Sequence, residues 1–425
     1  MKNLLIKNAV IVNRDGRQTG DLLVRDGLIE AIGEGLPAEG CEVIDARGAY
    51  LLPGLVDLHC HLRDPGYEYK EDILSGTRAA AAGGFTSVLC MANTKPVNDC
   101  AAITRYIVEK AQAAGYCKVY PYGAVTKGLE GKELAEMGDM REAGAVAFSD
   151  DGAPVDNTRL MEAALLYAGR FDGYIAVHPE DRSLTADGVM NRGVTATVLG
   201  LPGISRAAEE GPIARDLILA EENRARVHIC HISTAGCVDL IRSAKARGVR
   251  VTCETTPHYL TLDDTACEGY DVNAKVAPPL RTPADQEALI QGLLDGTIDA
   301  IATDHAPHHI DDKVGEFLTA AKGISGFETA FASCYTRLVK GGFLTLEQLV
   351  EKMCWNPARI ANIPGGELKA GAIADMFLAD GEDWTVDARR FYSKGRNTPL
   401  DGKTLSGRVL MTFQDGRIVH QREEF

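Results

Sequence analysis

Gly54-Leu55-Val56-Asp57-Leu58-His59-Cys60-His61-Leu62-Arg63-Asp64-Pro65-Gly66 reads as a β-strand that ends in two histidines, an arginine and a Pro-Gly turn. With a period of two, Leu55, Asp57, His59 and His61 share one face, and Val56, Leu58, Cys60 and Leu62 the other. Histidines two apart on a strand are separated by about 6 to 7 Å, so both rings reach one divalent ion at roughly 2.0 to 2.1 Å each. The competing reading is a pair of core histidines satisfied by their neighbours. A metal requires further ligands elsewhere in the chain.

Outward from this strand, the middle of the chain alternates strand and helix. Apolar runs at 55–61, 86–91, 118–124, 145–149, 174–178, 226–231, 250–254 and 298–304 are candidate strands. Between them lie helix-like segments that stop at glycine: 75–82 before Gly83-Gly84, 101–114 before Gly115, and 234–247 before Gly248. Strands too apolar to be half solvated, each followed by a helix, predict a closed (β/α)₈ barrel, an α/β fold of the TIM-barrel class. An open doubly wound sheet is the alternative, but the Gly-x-Gly-x-x-Gly turn expected after its first strand is missing. No short-period repeat or low-complexity tract interrupts the pattern.

The two ends differ from the middle. Residues 4–6, 9–12, 21–24 and 28–32 read as short strands joined by tight turns, and so do 375–379, 409–413 and 417–419. A small β-sandwich built from both termini is expected, with the chain divided at 1–52, 53–364 and 365–425. For 425 residues a large barrel with such an accessory unit is a reasonable size.

A net charge of −15 leaves no basic surface for nucleic acid, so an anionic substrate must be held by a few local cations. No apolar run is long enough to span a membrane, and the first residues carry charge too early for a secretory leader, so a cytoplasmic protein is expected. Eleven cysteines, an odd number with no Cys-x-x-Cys pair, read as reduced core thiols.

In a barrel of this kind the chemistry lies at the carboxyl ends of the strands. Those ends carry His59, His61 and Arg63; Asn93; Thr126; Asp150 and Asp151; His178; His231; His258; and Asp304 with His305 and His308. His228 alternates away from His231 and reads as a core or helix-facing residue. His420 reads as a surface residue, His258 as an orienting or structural one, and His305 and His309 as packing or surface residues. Neutral imidazoles with carboxylates and no ligating cysteine suit Zn²⁺ or a similar ion. The ligands are too many for one open tetrahedral site, and two ions sharing a carboxylate account for them better.

At this point the motifs themselves are informative. Pro53-Gly54-Leu55-Val56-Asp57-Leu58-His59-Cys60-His61-Leu62-Arg63-Asp64-Pro65-Gly66, Phe148-Ser149-Asp150-Asp151-Gly152 and Ala302-Thr303-Asp304-His305-Ala306-Pro307-His308 resemble the dihydroorotases of the amidohydrolase superfamily, in their long bacterial (class I) branch. The resemblance implies His59, His61 and Asp304 on one zinc, His178 and His231 on a second, and Asp151 near or bridging both. Many relatives place a carboxylated lysine at the end of the fourth strand; here Asp151 takes its place.

The activity implied is the zinc-dependent, reversible cyclisation of N-carbamoyl-L-aspartate to L-dihydroorotate, with Asp304 as the general acid/base. Substrate contacts are implied for His61, Arg63, Asn93, Ala277, His308 and Gly323. Ala277 stands where relatives often carry asparagine, so only its backbone can serve. Ala321-Lys322-Gly323 replaces a more usual Pro-Phe-Gly, and the loop that contains it is long enough to close over a substrate. Family habit adds a homodimer and association with aspartate carbamoyltransferase. The rival readings are another cyclic-amide hydrolase, such as an allantoinase or dihydropyrimidinase, and a non-catalytic scaffold for aspartate carbamoyltransferase.

Overall fold

In the computed structural model, which describes residues 3–423, the chain opens with five strands: β1 (Asn3–Asn13), β2 (Gly16–Arg25), β3 (Leu28–Gly33), β4 (Cys41–Asp45) and β5 (Tyr50–Pro53). Met1 and Lys2, read above for a leader, and the last two residues of the expected 365–425 segment lie outside the described residues. The runs 4–6 and 9–12, expected as separate strands, are both part of β1. Its pairing with β2 slips between Ile6 and Ala9, where Asn8 takes a φ of +56°. Asparagine enters this left-handed region more readily than other side chains. The slip keeps Leu4, Ile6, Ala9 and Ile11 on one small core while Val10 and Val12 turn to the larger one.

The expected barrel follows. Its strands are β6 (Leu55–Cys60), β7 (Phe85–Cys90), β8 (Lys118–Gly123), β9 (Ala147–Phe148) and β10 (Ile175–Val177). After a short two-stranded insertion, β11 (Met190–Asn191) with β12 (Gly203–Ile204), come β13 (Val227–Ile229), β14 (Val251–Thr255) and β15 (Ala300–Ile301). The eight barrel strands are parallel and ordered β15-β14-β13-β10-β9-β8-β7-β6. Closure falls on the opening motif. Cys60 bridges to His305, the His61 N–H donates to the His305 carbonyl at 2.8 Å, and Asp57 accepts from the Thr303 N–H and hydroxyl at 2.7 and 2.6 Å.

That closure corrects the period-two reading of the first strand. Val56 and Leu58 point into the barrel with Leu89, Tyr122 and Ala176, whereas Leu55, Cys60 and Leu62 belong to the outer core shared with the helices. Pairing with β7 shifts on both sides of Val56-Asp57, and such irregularities re-aim the side chains that follow. Leu55 therefore does not share a face with the two histidines, and Asp57 is consumed by Thr303.

Beneath the strand ends the barrel interior is filled. The hydroxyl of Tyr122 donates to the Leu58 carbonyl at 3.1 Å and lies 3.2 Å from that of Tyr174, so both rings are buried with their polar tips engaged. Ala358, Ile360 and Ala361, from the helix Asn356–Ala361, pack beneath the same cluster. The helices are punctuated as expected. A capping box of Asp72 and Ser75 starts the helix Ile73–Ala82, and Gly115 ends the helix Ala101–Ala114 at a φ of +70°.

The chain then returns to its beginning. β16 (Met376–Thr385), β17 (Thr404–Gln414) and β18 (Arg417–Gln421) extend the amino-terminal strands into one sheet ordered β18-β17-β16-β5-β1-β2-β3, with β4 beside β1. The β unit from both termini is thus hydrogen-bonded continuously, and Leu22, Leu51, Met376 and Phe413 meet in its own core. All eleven cysteines are free, and no helix among the described residues is long and apolar enough to cross a membrane.

Candidate active site

Four of the ligand candidates from distant strands converge on one carboxylate. Asp151 Oδ1 lies 3.3 Å from His59 Nε2, 3.2 Å from His178 Nδ1 and 3.5 Å from His231 Nε2, while Oδ2 lies 3.6 Å from His61 Nε2. Asp304 closes the set from the last strand: its Oδ1 is 3.2 Å from His61 Nε2 and 3.6 Å from His59 Nε2. Asp151 thus stands between the pair His59 and His61 and the pair His178 and His231, whose facing nitrogens are 3.0 Å apart.

The backbone at these strand ends is unusual. Arg63, His231 and Asp304 adopt φ values of +60°, +38° and +45°. Each departure costs on the order of 1 to 3 kcal/mol, and here it turns a side chain over the barrel mouth. At the fourth strand two adjacent aspartates divide their work. Asp150 is taken up by the Val125 and Thr126 N–H groups, at 2.7 and 3.1 Å, and by the Thr126 hydroxyl, which leaves Asp151 to face the histidines.

The electrostatics follow from burial opposed by neighbours. Burial disfavours the ionised form of Asp151, but His59, His178 and His231 overcome it and hold the carboxyl well below the usual range. Asp304 is held down in the same way by His61 and His59. Burial also acts against the charged form of His178, yet hydrogen bonding to Asp151 and Glu180 raises it to about 9. Burial pushes His231 down, with the neighbouring His178 and His59 adding to the effect.

The donor set fits a metal. His59 Nε2 and Asp151 Oδ1 are buried and face one another at 3.3 Å without making a hydrogen bond. Two groups, one of His59, His61 and Asp151 and the other of Asp151, His178 and His231, each bring their ligand atoms within 4.8 Å of one another. Imidazole nitrogen and carboxylate oxygen are the donors that borderline divalent ions take.

The expected substrate residues surround this centre. Arg63 Nε donates to the Pro307 carbonyl at 3.3 Å; Asp64 and Glu68 are engaged elsewhere, Asp64 with Lys110 at 2.7 Å and Glu68 with the Gly66 N–H. Asn93 Oδ1 is 3.0 Å from His61 Nδ1, and its Nδ2 donates to the Asp151 carboxylate at 3.2 Å. His308 places Nε2 2.9 Å from the Lys322 carbonyl and Nδ1 3.5 Å from Lys70 Nζ. Ala277 lines a small cavity beside His178 and Glu180.

Gly323 has a φ of +143°, and a Cβ there would sit 2.6 Å from the Ala306 carbonyl oxygen, so the close approach demands glycine. The loop leading to it is tied down by lysines. Lys275 Nζ donates to the Phe317 carbonyl at 2.6 Å, and Lys313 Nζ to the Val272 and Ala321 carbonyls at 2.8 and 2.7 Å.

The remaining histidines sort by environment. His305 is fully buried and stacks on Phe327 at 4.0 Å, a packing role, while His309 caps the turn Ile310–Lys313 through Asp311 N–H. His420 is half-buried against Tyr392, more enclosed than the surface residue expected. His258 is buried near Asp304, and desolvation lowers it to about 4. His228 lies in the core beneath the site.

Sequence reasoning missed Glu254. This carboxylate is fully buried, 3.3 Å from His59 Nδ1 and 3.2 Å from His228 Nε2. The available signal was an ionisable residue inside an otherwise enclosed barrel strand, where an acid is rarely found unpaired.

Comparison with known proteins agrees with this geometry. A family model described as dihydro-orotase-like matches residues 48–236. The dihydroorotase of Ruminiclostridium cellulolyticum is 53% identical over 423 residues, which cover 99% of each chain. That of Acetivibrio thermocellus is 52% identical over 419 residues, 98% of each chain. Among solved structures, the L-hydantoinase (dihydropyrimidinase) of Arthrobacter aurescens superimposes with a TM-score of 0.89 at 28% identity, covering 99% of this chain and 96% of that one. The strand-end constellation and the near-complete alignment lead to one statement: this chain belongs to the dihydroorotase family.

Proposed function

We propose that the chain is a dihydroorotase, interconverting N-carbamoyl-L-aspartate and L-dihydroorotate with loss or gain of water in pyrimidine biosynthesis. The observation that carries the substrate choice is Arg63. Only its Nε is engaged, by the Pro307 carbonyl, and the rest of its guanidinium makes no hydrogen bond or ion pair among the described residues. That fork lies near Asp304 and Asp151, whose charges it feels. It suits the carboxylate that dihydroorotate carries and that dihydrouracil and hydantoin lack.

His59, His61 and Asp304 would hold one divalent ion, and His178 and His231 a second, with Asp151 between them; the donor set suits zinc. Bound there, such ions supply Lewis acidity and lower the pKa of water toward neutrality.

The protein's own part is positioning and proton transfer. In the hydrolytic direction a water oxygen adds to the ring amide carbonyl carbon, the C–N bond to the ring nitrogen breaks, and the ureido group is released. Asp304, held in its ionised form, accepts the proton of the attacking water and delivers it to the departing nitrogen, so the enzyme ends as it began. Ring closure uses the same groups in reverse. Arg63 fixes the free carboxylate, and Asn93, His308 and the backbone at Ala277 and Gly323 complete the pocket.

The reading carries further expectations: a cytoplasmic homodimer able to associate with aspartate carbamoyltransferase. Sizing the purified protein alone and with that enzyme tests the assembly. A spectrophotometric comparison of dihydroorotate with dihydrouracil and allantoin tests the activity. Preference for either neutral ring would replace this reading with another cyclic-amide hydrolase, the activity borne by the Arthrobacter relative's name.

A further inference from the structure

Directly beneath the cluster of candidate ligands, a second line of polar groups runs through the closed barrel. Glu254 on β14 is fully buried. Its Oε1 lies 3.3 Å from His59 Nδ1, the ring nitrogen turned away from Asp151, and its Oε2 lies 3.2 Å from His228 Nε2. The other nitrogen of His228, Nδ1, is 2.8 Å from the Thr252 hydroxyl. Neither oxygen of Glu254 makes a hydrogen bond among the described residues, and His59 Nδ1 and His228 Nε2, which face them, are likewise buried without one.

A carboxylate in such surroundings is tolerated only when proton donors face it. The two nitrogens opposite are the groups in place to donate. A proton on His59 Nδ1 leaves Nε2 with its lone pair toward Asp151. A proton on His228 Nε2 leaves Nδ1 free to accept the Thr252 O–H. With those two protons in place, each oxygen of Glu254 faces a donor and each of the two nitrogens faces an acceptor.

We propose that Glu254 is a positioning residue which, together with His228 and Thr252, sets the tautomer and ring orientation of His59 so that its Nε2 is presented to the metal. The inference rests on the metal-dependent reading above and goes beyond it, since neither Glu254 nor His228 is among the ligands. Carboxylates behind a ligating histidine act in this way in many metal sites, and their loss weakens binding by about 10- to 100-fold.

The test is competition for zinc against a chromogenic chelator, with the unmodified protein and Glu254→Gln compared. Glutamine has the same shape but one acceptor and one donor, so it cannot accept from both imidazoles. The zinc dissociation constant is expected to rise by about 10- to 100-fold in the variant. A second measurement needs no variant: ¹⁵N NMR of the zinc-loaded, histidine-labelled protein should find the proton of His228 on Nε2.

An unchanged zinc constant in Glu254→Gln, or a His228 proton on Nδ1, would overturn the proposal; if the variant does not fold, the NMR result decides. An unmodified protein that binds no zinc defeats the functional reading itself. Tight zinc binding by both proteins defeats only the role of Glu254.

Discussion

Asn93 Oδ1 lies 3.0 Å from Nδ1 of His61, so the carboxamide at the end of the second barrel strand fixes the ring at the end of the first. The same side chain donates to Asp151 at 3.2 Å. Asn93→Ala is therefore expected to loosen two ligands at once. Metal retention should fall by about tenfold or more, in addition to any rise in KM for dihydroorotate. Chelator competition beside steady-state kinetics checks this; a change in KM with metal affinity intact would confine Asn93 to substrate binding.

Asp304 is assigned the proton transfer between water and the ring nitrogen. In Asp304→Asn reloaded with metal, turnover should drop by about 10² to 10⁴-fold in both directions. Metal content measured on the same sample separates lost chemistry from lost ligation. Near-normal turnover would remove Asp304 from this role.

Arg63→Met should act on binding and on one class of substrate. A charge-assisted contact contributes about 1.5 to 3 kcal/mol, and each 1.4 kcal/mol is about tenfold, so KM for dihydroorotate should rise by roughly 10- to 100-fold. Any slow hydrolysis of dihydrouracil should be unaffected, because that ring offers no carboxylate. Equal losses on both substrates would contradict the assignment.

Glu328 gives the fold a pH signature away from the site. Burial pushes its carboxyl up to about 8, against the pull of the Tyr392 and Ser393 N–H groups that it accepts. Between the ordinary glutamate pKa, about 4.3, and about 8 the folded protein keeps a proton that the unfolded chain releases. Its contribution to stability is full below that window and is lost as pH rises through it. Calorimetric Tm values should decline from pH 5 to 8, and Glu328→Gln should flatten the decline. Parallel curves for the two proteins would contradict it.

Much of this architecture can be read from local pattern. The eight barrel strands appear as apolar runs because parallel strands are buried on both faces, and the ligand candidates appear because they end those runs. Facing is harder to read. The alternation through Leu55 to His61 fails because pairing with β7 slips, and register is a property of two strands, not one. Asn8 bends β1 where separate strands were expected, for the same reason. Glu254 escapes a motif-based search because its partners, His59 and His228, lie on two other strands and meet it only when the barrel closes. The ties of Asn93 to His61 and Asp151 are also visible only in three dimensions.

The central claim is that imidazoles and carboxylates gathered at the barrel mouth form a metal-dependent dihydroorotase centre beside a free guanidinium. It is tested most directly by quantifying bound metal while following dihydroorotate hydrolysis through removal and restoration of zinc. The account predicts stoichiometric metal in the active protein, loss of activity as the metal is stripped, and recovery on its return. Full activity in the metal-free protein, or metal-loaded protein inert toward dihydroorotate, would contradict it.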